Sequence, residues 1–304
     1  MSGTRSIDIY LDDALRRSVE RGQHNYIAQV RAAFESAGVR VALREDSVAE
    51  RLASVARPGY ALFHMQEPPH PRALTTRRAY VYPFWRIERT NRRWQTEVAM
   101  AAFDPAAIDP DEAARFAGFW RRRLFGAAAP TAEPGGYVYV PLQGRLLERR
   151  SFQTVAPIDM LREVLAEVSG RIRVTLHPKE VYAPAELQAL DRLARTHPRL
   201  ELSAEPPEVL LPGCDMVITQ NSAVAFQGYF HEKPAVLFAR IDFHHIAARV
   251  DVLGSAEAIR QAREARPDFA RYLYWFLQEM AINAGKQDAP AQILKTVRRR
   301  GWDI

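Results

Sequence analysis

The chain has one cysteine, four lysines, no membrane-length apolar run and no leader-type start, and each scarcity narrows what it can be. A lone Cys214 excludes an intrachain disulfide and any thiolate metal cluster. No stretch approaches the roughly 20 apolar residues needed to cross a bilayer as a helix. The opening, MSGTRSIDIYLDD, lacks the apolar core of a signal peptide and runs straight into a strand-like segment. A cytoplasmic location is therefore the default expectation. No helix-turn-helix, zinc finger or aromatic-rich RNA-binding motif accompanies the positive charge, so nucleic acid is not an expected partner.

What is present is ordinary for a globular chain: 304 residues, 47% hydrophobic and 26% charged. That length suits two α/β domains of roughly 130–150 residues each. The net charge of +6 is unusual only in its makeup, because all but Lys179, Lys233, Lys286 and Lys295 of the 42 basic residues are arginine. Arginine's planar fork suits phosphate and carboxylate groups. The plainer reading is a compositional bias spread over solvated faces. The clusters Arg77-Arg78, Arg92-Arg93, Arg121–Arg123 and Arg298–Arg300 would suit anionic lipid heads, a peripheral attachment at the inner face of a membrane.

Periodicity organises the chain. Ser6–Leu11 alternates as a strand, a polar loop follows, and Ile27, Val30, Ala33 and Phe34 recur at helical spacing up to Gly38. Val39–Leu43 and Tyr60–Met65 read as the next strands, and the acidic start at Asp109 predicts an amphipathic helix to Phe125. Residues 77–101 give no clear pattern. GAAAPTAEPGG between Gly126 and Gly136 is the best linker. Beyond it strands are expected at Tyr137–Leu142, Ile172–Leu176, near Leu200–Leu202, at Met216–Thr219 and at Ala235–Phe238, with helices between. The expectation is two doubly wound, Rossmann-type α/β domains, 1–126 and 137–304, joined by the linker 127–136. Their ligand would lie in a central cleft at the carboxyl ends of the strands, with hinge closure about the linker.

Two strand ends carry candidate chemistry. Ser222, after Met216–Thr219 and Gln220-Asn221, stands where a strand turns into a helix. It is either a plain N-cap or part of a phosphate site at the helix start. His177-Pro178 follows another strand of the same sheet, and proline fixes the backbone there. Each motif alone has a structural reading; together they can reach one phosphate.

The segments Tyr137–Gln143 (YVYVPLQ), Val174–Glu180 (VTLHPKE) and Val217–Ser222 (VITQNS) with Lys233-Pro234 resemble the capsular polysaccharide biosynthesis family. That family includes transferases of 3-deoxy-manno-octulosonic acid (Kdo) and is related to bacterial sialyltransferases. The likeness spans about residues 137–245. It implies a GT-B fold, a CMP-activated sugar donor, and donor contacts from His177 and Ser222. Gln143 falls at the first strand end of that domain, where the family also places a polar residue. One position departs: relatives carry an acid in the helix after the serine, and Gln227 stands in its place. An amide can bond a ribose hydroxyl but cannot act as a base.

The expected donor-binding set is thus Gln143, His177, Pro178, Gln220, Asn221, Ser222 and Gln227. The first domain must supply a base, and its strand-end loops nominate Asp12, Asp13, His24 and Glu67, with His24 and Glu67 foremost. Asp242, His244 and His245 form a polar cluster without a third metal ligand, and no Asp-x-Asp follows a strand in the GT-A manner, so neither metal nor cofactor is expected. The expected activity is transfer of an acidic sugar from a CMP donor to a saccharide or lipid-linked glycan. The rivals are a GT-B transferase using a UDP or GDP sugar, and a catalytically silent glycan- or nucleotide-binding partner of a capsule assembly complex.

Overall fold

Alternation in the first segment becomes β1 (Ser6–Leu11), whose Ile7, Ile9 and Leu11 turn to one face and whose Tyr10 turns to the other. The computed structural model describes residues 6–126 and 135–304, and these form two units. The first unit comprises the chain to Ala101 together with Phe276–Ile304; the second is Ala102–Trp275.

In the first unit β1 is joined by β2 (Arg40–Glu45), β3 (Tyr60–His64), β4 (Ala73–Arg78) and β5 (Phe84–Glu88). The order is β2-β1-β3-β4-β5, completed by the short strand Ile282–Asn283. The first four are parallel, whereas β5 pairs antiparallel both with β4 and with the last strand. This sheet is therefore not wholly parallel. The reversal has a simple cause: the link 79–83 is far shorter than the roughly dozen residues a parallel crossover needs. The core lies on the Ile7/Ile9 face, under the helix Asn25–Ser36 (Tyr26, Ile27, Val30, Phe34) and the C-terminal helix Ala289–Arg299 (Ile293, Val297). On the other face Tyr10 stacks on Phe63, ring centres 4.3 Å apart. Asp13–Glu20, expected as loop, is a helix capped by Asp12. Only Val19 of it is buried, so it has no apolar stripe for a sequence reading to find.

The second unit follows the sequence reading more closely. Its strands β6 (Tyr137–Pro141), β7 (Arg171–Thr175), β8 (Leu200–Leu202), β9 (Met216–Thr219), β10 (Ala235–Leu237) and β11 (Ala248–Arg249) are all parallel. Their order is β8-β7-β6-β9-β10-β11, the doubly wound pattern of a dinucleotide-binding sheet. Helix Pro157–Glu167, with proline in its first turn, packs Ile158, Leu161, Val164 and Leu165 against Val138, Val140, Ile172 and Val174.

The expected domain limits need correction at both ends. Helix Pro110–Phe125 belongs to the second unit, where Phe116 meets Tyr274 edge-on at 5.5 Å and Tyr274 donates to Glu112 over 3.1 Å. The tail from Phe276 belongs to the first, because Ile282 pairs with Trp85 and Trp302 stacks on Tyr60 at 4.6 Å. Apolar residues at helical spacing reveal that the tail must be buried, but not against which sheet. Of the linker, only Gly126, Gly135 and Gly136 fall within the described residues, and Gly135 donates its N–H to Gly213 over 2.7 Å.

No helix among the described residues is long and apolar enough to cross a membrane. Two of the arginine clusters are partly engaged within the first unit. Arg77 is buried and donates to the Asn91 side chain at 2.7 Å. Arg300 bridges Glu88 and Glu97 at 2.7 and 2.8 Å.

Candidate functional site in the second unit

Strands β6 and β9 lie side by side, and the chain leaves β6 toward β7 but leaves β9 toward β10. The two connections diverge, which opens a crevice at the carboxyl ends where ligands bind in such sheets. Thr219 ties the two ends together by donating its hydroxyl to the Pro141 carbonyl over 2.8 Å. Gln143 follows β6 by two residues, Gln220–Ser222 follow β9 directly, and His177-Pro178 follow the adjacent β7.

A cleft of about 520 Å³ opens at this edge. His177, Pro178, Ser222 and Val224 line it together with Tyr139, Pro141, Leu142 and Leu176. Ser203 and Glu205, after β8, line it as well. The volume is within the ordinary range for a site that encloses a small molecule.

His177 is chemically defined by its neighbours. Its Nδ1 accepts the Lys179 backbone N–H over 3.2 Å, so in the neutral ring the proton sits on Nε2. The ring thus offers a donor. Its backbone N–H donates to the Tyr182 hydroxyl oxygen at 2.8 Å, which holds the strand end in place. Ser222 is the N-cap of helix Ala223–Tyr229, and its Oγ accepts from Val224 N at 3.3 Å. Accepting that bond leaves the serine hydroxyl's own proton free to donate. Tyr139 is engaged with Thr175 at 2.9 Å, and burial pushes its phenol up to about 12.

The remaining candidates are placed differently. Gln220 is buried and anchors the loop by donating to the Val155 carbonyl over 3.0 Å. Its Oε1, with Gln143 Oε1 and Asn221 Oδ1, is a buried acceptor with no hydrogen-bond partner among the described residues. Gln143, Gln220, Asn221 and Gln227 do not line the cleft that His177 and Ser222 share. Tyr139, Ser203 and Glu205 were missed. Tyr139 reads as core, but Ser203–Glu205 follow a strand just as the two motifs do, and that positional signal is visible in the sequence. Glu205 is held by the Arg173 guanidinium and by Ser203 Oγ at 3.2 Å.

The base candidates belong to the first unit. His24 caps helix Asn25–Ser36, its Nδ1 accepting from Ile27 N at 3.2 Å, and burial holds its imidazole below the usual range. Glu67 accepts from the Thr90 hydroxyl at 3.0 Å and from Asn91 N at 2.6 Å, so its carboxylate is engaged in fixing the 90–91 turn. Asp12 caps the helix that begins at Asp13, and Asp13 pairs with Arg16 and Arg17. In the other polar cluster, His244 Nδ1 faces the Ile241 carbonyl at 2.7 Å and His245 Nδ1 faces the Tyr272 hydroxyl at 3.1 Å. Among the described residues no three His, Cys, Asp or Glu side chains gather as a metal-ligand group.

Ser222→Ala separates the two roles of this serine. Loss of the cap is expected to cost about 1 kcal/mol of stability, small beside the ~5–15 kcal/mol of a domain. A thermal melt should therefore show an intact fold, and if the hydroxyl also serves a phosphate, affinity for a phosphate-bearing ligand should fall in calorimetry. Unchanged affinity would leave Ser222 as a cap alone.

No family model and no curated protein matches the sequence. Solved structures do. A Kdo transferase of Thermosulfurimonas dismutans, "KpsC, beta Kdo 2,7 transferase", superposes with a TM-score of 0.55 at 12% identity, over 97% of this chain and all of that one. The "beta Kdo 2,4 transferase" of the same organism's KpsC gives 0.46 at 11% identity, over 89% of each chain. A Neisseria meningitidis UDP-GlcNAc 2-epimerase gives 0.40 at 11%, over 97% of this chain and all of that one. The first of these establishes a fold shared with a Kdo transferase, of the GT-B-like α/β class.

Proposed function

We propose that this chain is a glycosyltransferase that moves an acidic sugar of the Kdo or sialic-acid class from a CMP-activated donor to a saccharide or lipid-linked glycan. The observation that carries the reading is the shared cleft of His177 and Ser222 at the divergence of β6 and β9. In this reading two donors, the Nε2–H of His177 and the O–H of Ser222, serve the cleft that both residues line. The departing CMP carries its charge on one phosphate. Lys179 is the one lysine or arginine between Arg173 and Arg192, a sparse set that suits one phosphate better than two. The fold shared with a Kdo transferase is compatible with transfer of a sugar of that class.

In this reading the apolar walls, Leu142, Leu176 and Val224, take the base and exclude water. Ser203 and Glu205 offer acceptors to ribose hydroxyls. His177 and Ser222 stabilise charge that grows on the phosphate oxygen as the sugar leaves, a preorganised electrostatic contribution. Release of CMP from CMP-Kdo or CMP-sialic acid by the purified protein is the direct assay. No release despite tight CMP binding would favour the silent-partner reading, which rests on Gln227 in the acid's place.

A further inference from the structure

The loop that leaves β6 in the second unit carries a guanidinium that the fold does not use. Arg150 is half-buried, and its Nε and Nη2 are shut off from water without a hydrogen-bond partner among the described residues. Those two nitrogens form the side of the fork that a carboxylate engages bidentately. The group stands over the Phe152 ring, 5.0 Å from Cζ to the ring centre, so its planar edge stays unengaged. Burial lowers its proton affinity, as does the nearby Arg145, while Glu180 and Glu148 raise it. Glu148 is itself paired with Arg145 at 3.6 Å. Arginine keeps its proton under such pressure, so a charge remains that calls for an anion.

Backbone bonds place this loop against the strand ends that carry the candidate motifs. Arg150 N donates to Gln153 Oε1 over 2.7 Å, and Gln153 bridges to Ala239 just beyond β10. Thr154 N donates to the Phe238 carbonyl at 2.8 Å, and Ala239 N to the Gln220 carbonyl at 3.1 Å. Segment 150–155 is thereby laced to the carboxyl ends of β9 and β10. From the β7 side, Glu180 lies over Gly144, where a Cβ would collide with its carboxylate.

The same loops hold further unmet polar groups. Gln153 is 5% exposed, and its Nε2 is a buried donor with no partner among the described residues. The acceptors Gln143 Oε1, Gln220 Oε1 and Asn221 Oδ1 are equally unmet. Water would satisfy the three acceptors, but the desolvated cation requires negative charge. Asn221 is one residue, about 3.8 Å of chain, from Ser222 in the cleft.

We infer that Arg150, with Gln153 Nε2 beside it, recognises the carboxylate of the donor sugar, while Gln143, Gln220 and Asn221 accept from the sugar's hydroxyl groups. The inference rests on the CMP-sugar reading above. In Kdo and sialic acid the anomeric carbon bears both the carboxylate and the bond to the CMP phosphate. A cation for that carboxylate must therefore stand next to the phosphate site, within the unit that holds the nucleotide. A neutral sugar offers nothing to the guanidinium and leaves it buried and unpaired, which is how the site discriminates.

The test titrates CMP, CMP-Kdo and CMP-sialic acid into the intact protein by calorimetry, with a thermal melt of each variant. Arg150→Gln should melt normally and bind CMP within about twofold of wild type. Its affinity for the CMP sugar that wild type binds more tightly should fall at least about tenfold. Arg150→Lys should recover only part of that loss, because it restores charge without the fork. Arg149→Gln, one position away and exposed, should change neither affinity. Wild-type affinity for the CMP sugar in Arg150→Gln, an equal loss for CMP itself, or the same loss in Arg149→Gln would overturn the assignment and leave the CMP reading intact. A wild type that binds CMP but neither CMP sugar would overturn the acidic-sugar reading, and this assignment with it.

Discussion

Replacing His177 by alanine is expected to weaken CMP binding by about 1.5–3 kcal/mol, roughly a 10- to 150-fold rise in Kd. In the proposed reading the lost contact is an N–H donated to an ionised phosphate, the stronger kind of hydrogen bond. It is also preorganised: the Lys179 N–H holds Nδ1, and the backbone bond to Tyr182 fixes the strand end whatever the side chain is. The ring is only half-buried, so its removal leaves no core cavity and the fold should persist. The effect should exceed that of Ser222→Ala, because that hydroxyl shares itself between the cap and the ligand. Calorimetric titration of CMP into both variants checks this. An unchanged Kd in His177→Ala would place the phosphate elsewhere.

Arg300→Ala should destabilise the first unit by about 3–5 kcal/mol, the usual result of removing one partner of a buried ion pair. Glu88 is 3% exposed, and its carboxylate meets Arg300 at 2.7 Å. Burial raises its pKa and the Arg300 charge opposes that rise. Without Arg300 the pKa rises further. A carboxyl whose folded pKa lies above its unfolded value contributes most at pH below the unfolded value, and that contribution is lost as pH climbs through the folded pKa. The penalty should therefore be larger at pH 7 than at pH 5, and adding Glu88→Gln should remove much of it. Denaturant unfolding at the two pH values is the measurement. A loss below ~1 kcal/mol, or one that does not change with pH, would show that the C-terminal tail is not held by this pair.

The second unit was legible because its central strands β6, β9 and β10 are buried throughout and read as short apolar runs, such as Met216–Thr219 with a distinctive polar motif after it. The first unit was less so. β4 carries Thr75, Thr76 and Arg77 buried, and β5 carries Arg86 and Glu88, so its buried strands look polar in sequence. Glu88 and Thr76 find partners distant in the chain, Arg300 for the first and Tyr26 for the second. Long-range pairing of that kind leaves no local pattern. The same holds for the site. His177 and Ser222 announce themselves by position after strands, whereas Tyr139, which lines the same cleft, reads as core.

Donor identity is the central claim, and side-by-side calorimetry of CMP, UDP and GDP at moderate salt tests it most directly. With His177 and Ser222 as donors and Lys179 as the one nearby lysine, the site suits a single phosphate, so CMP should bind most tightly of the three. His177→Ala should erase most of that preference. UDP or GDP binding more tightly than CMP would contradict the account and point instead to a transferase of UDP or GDP sugars.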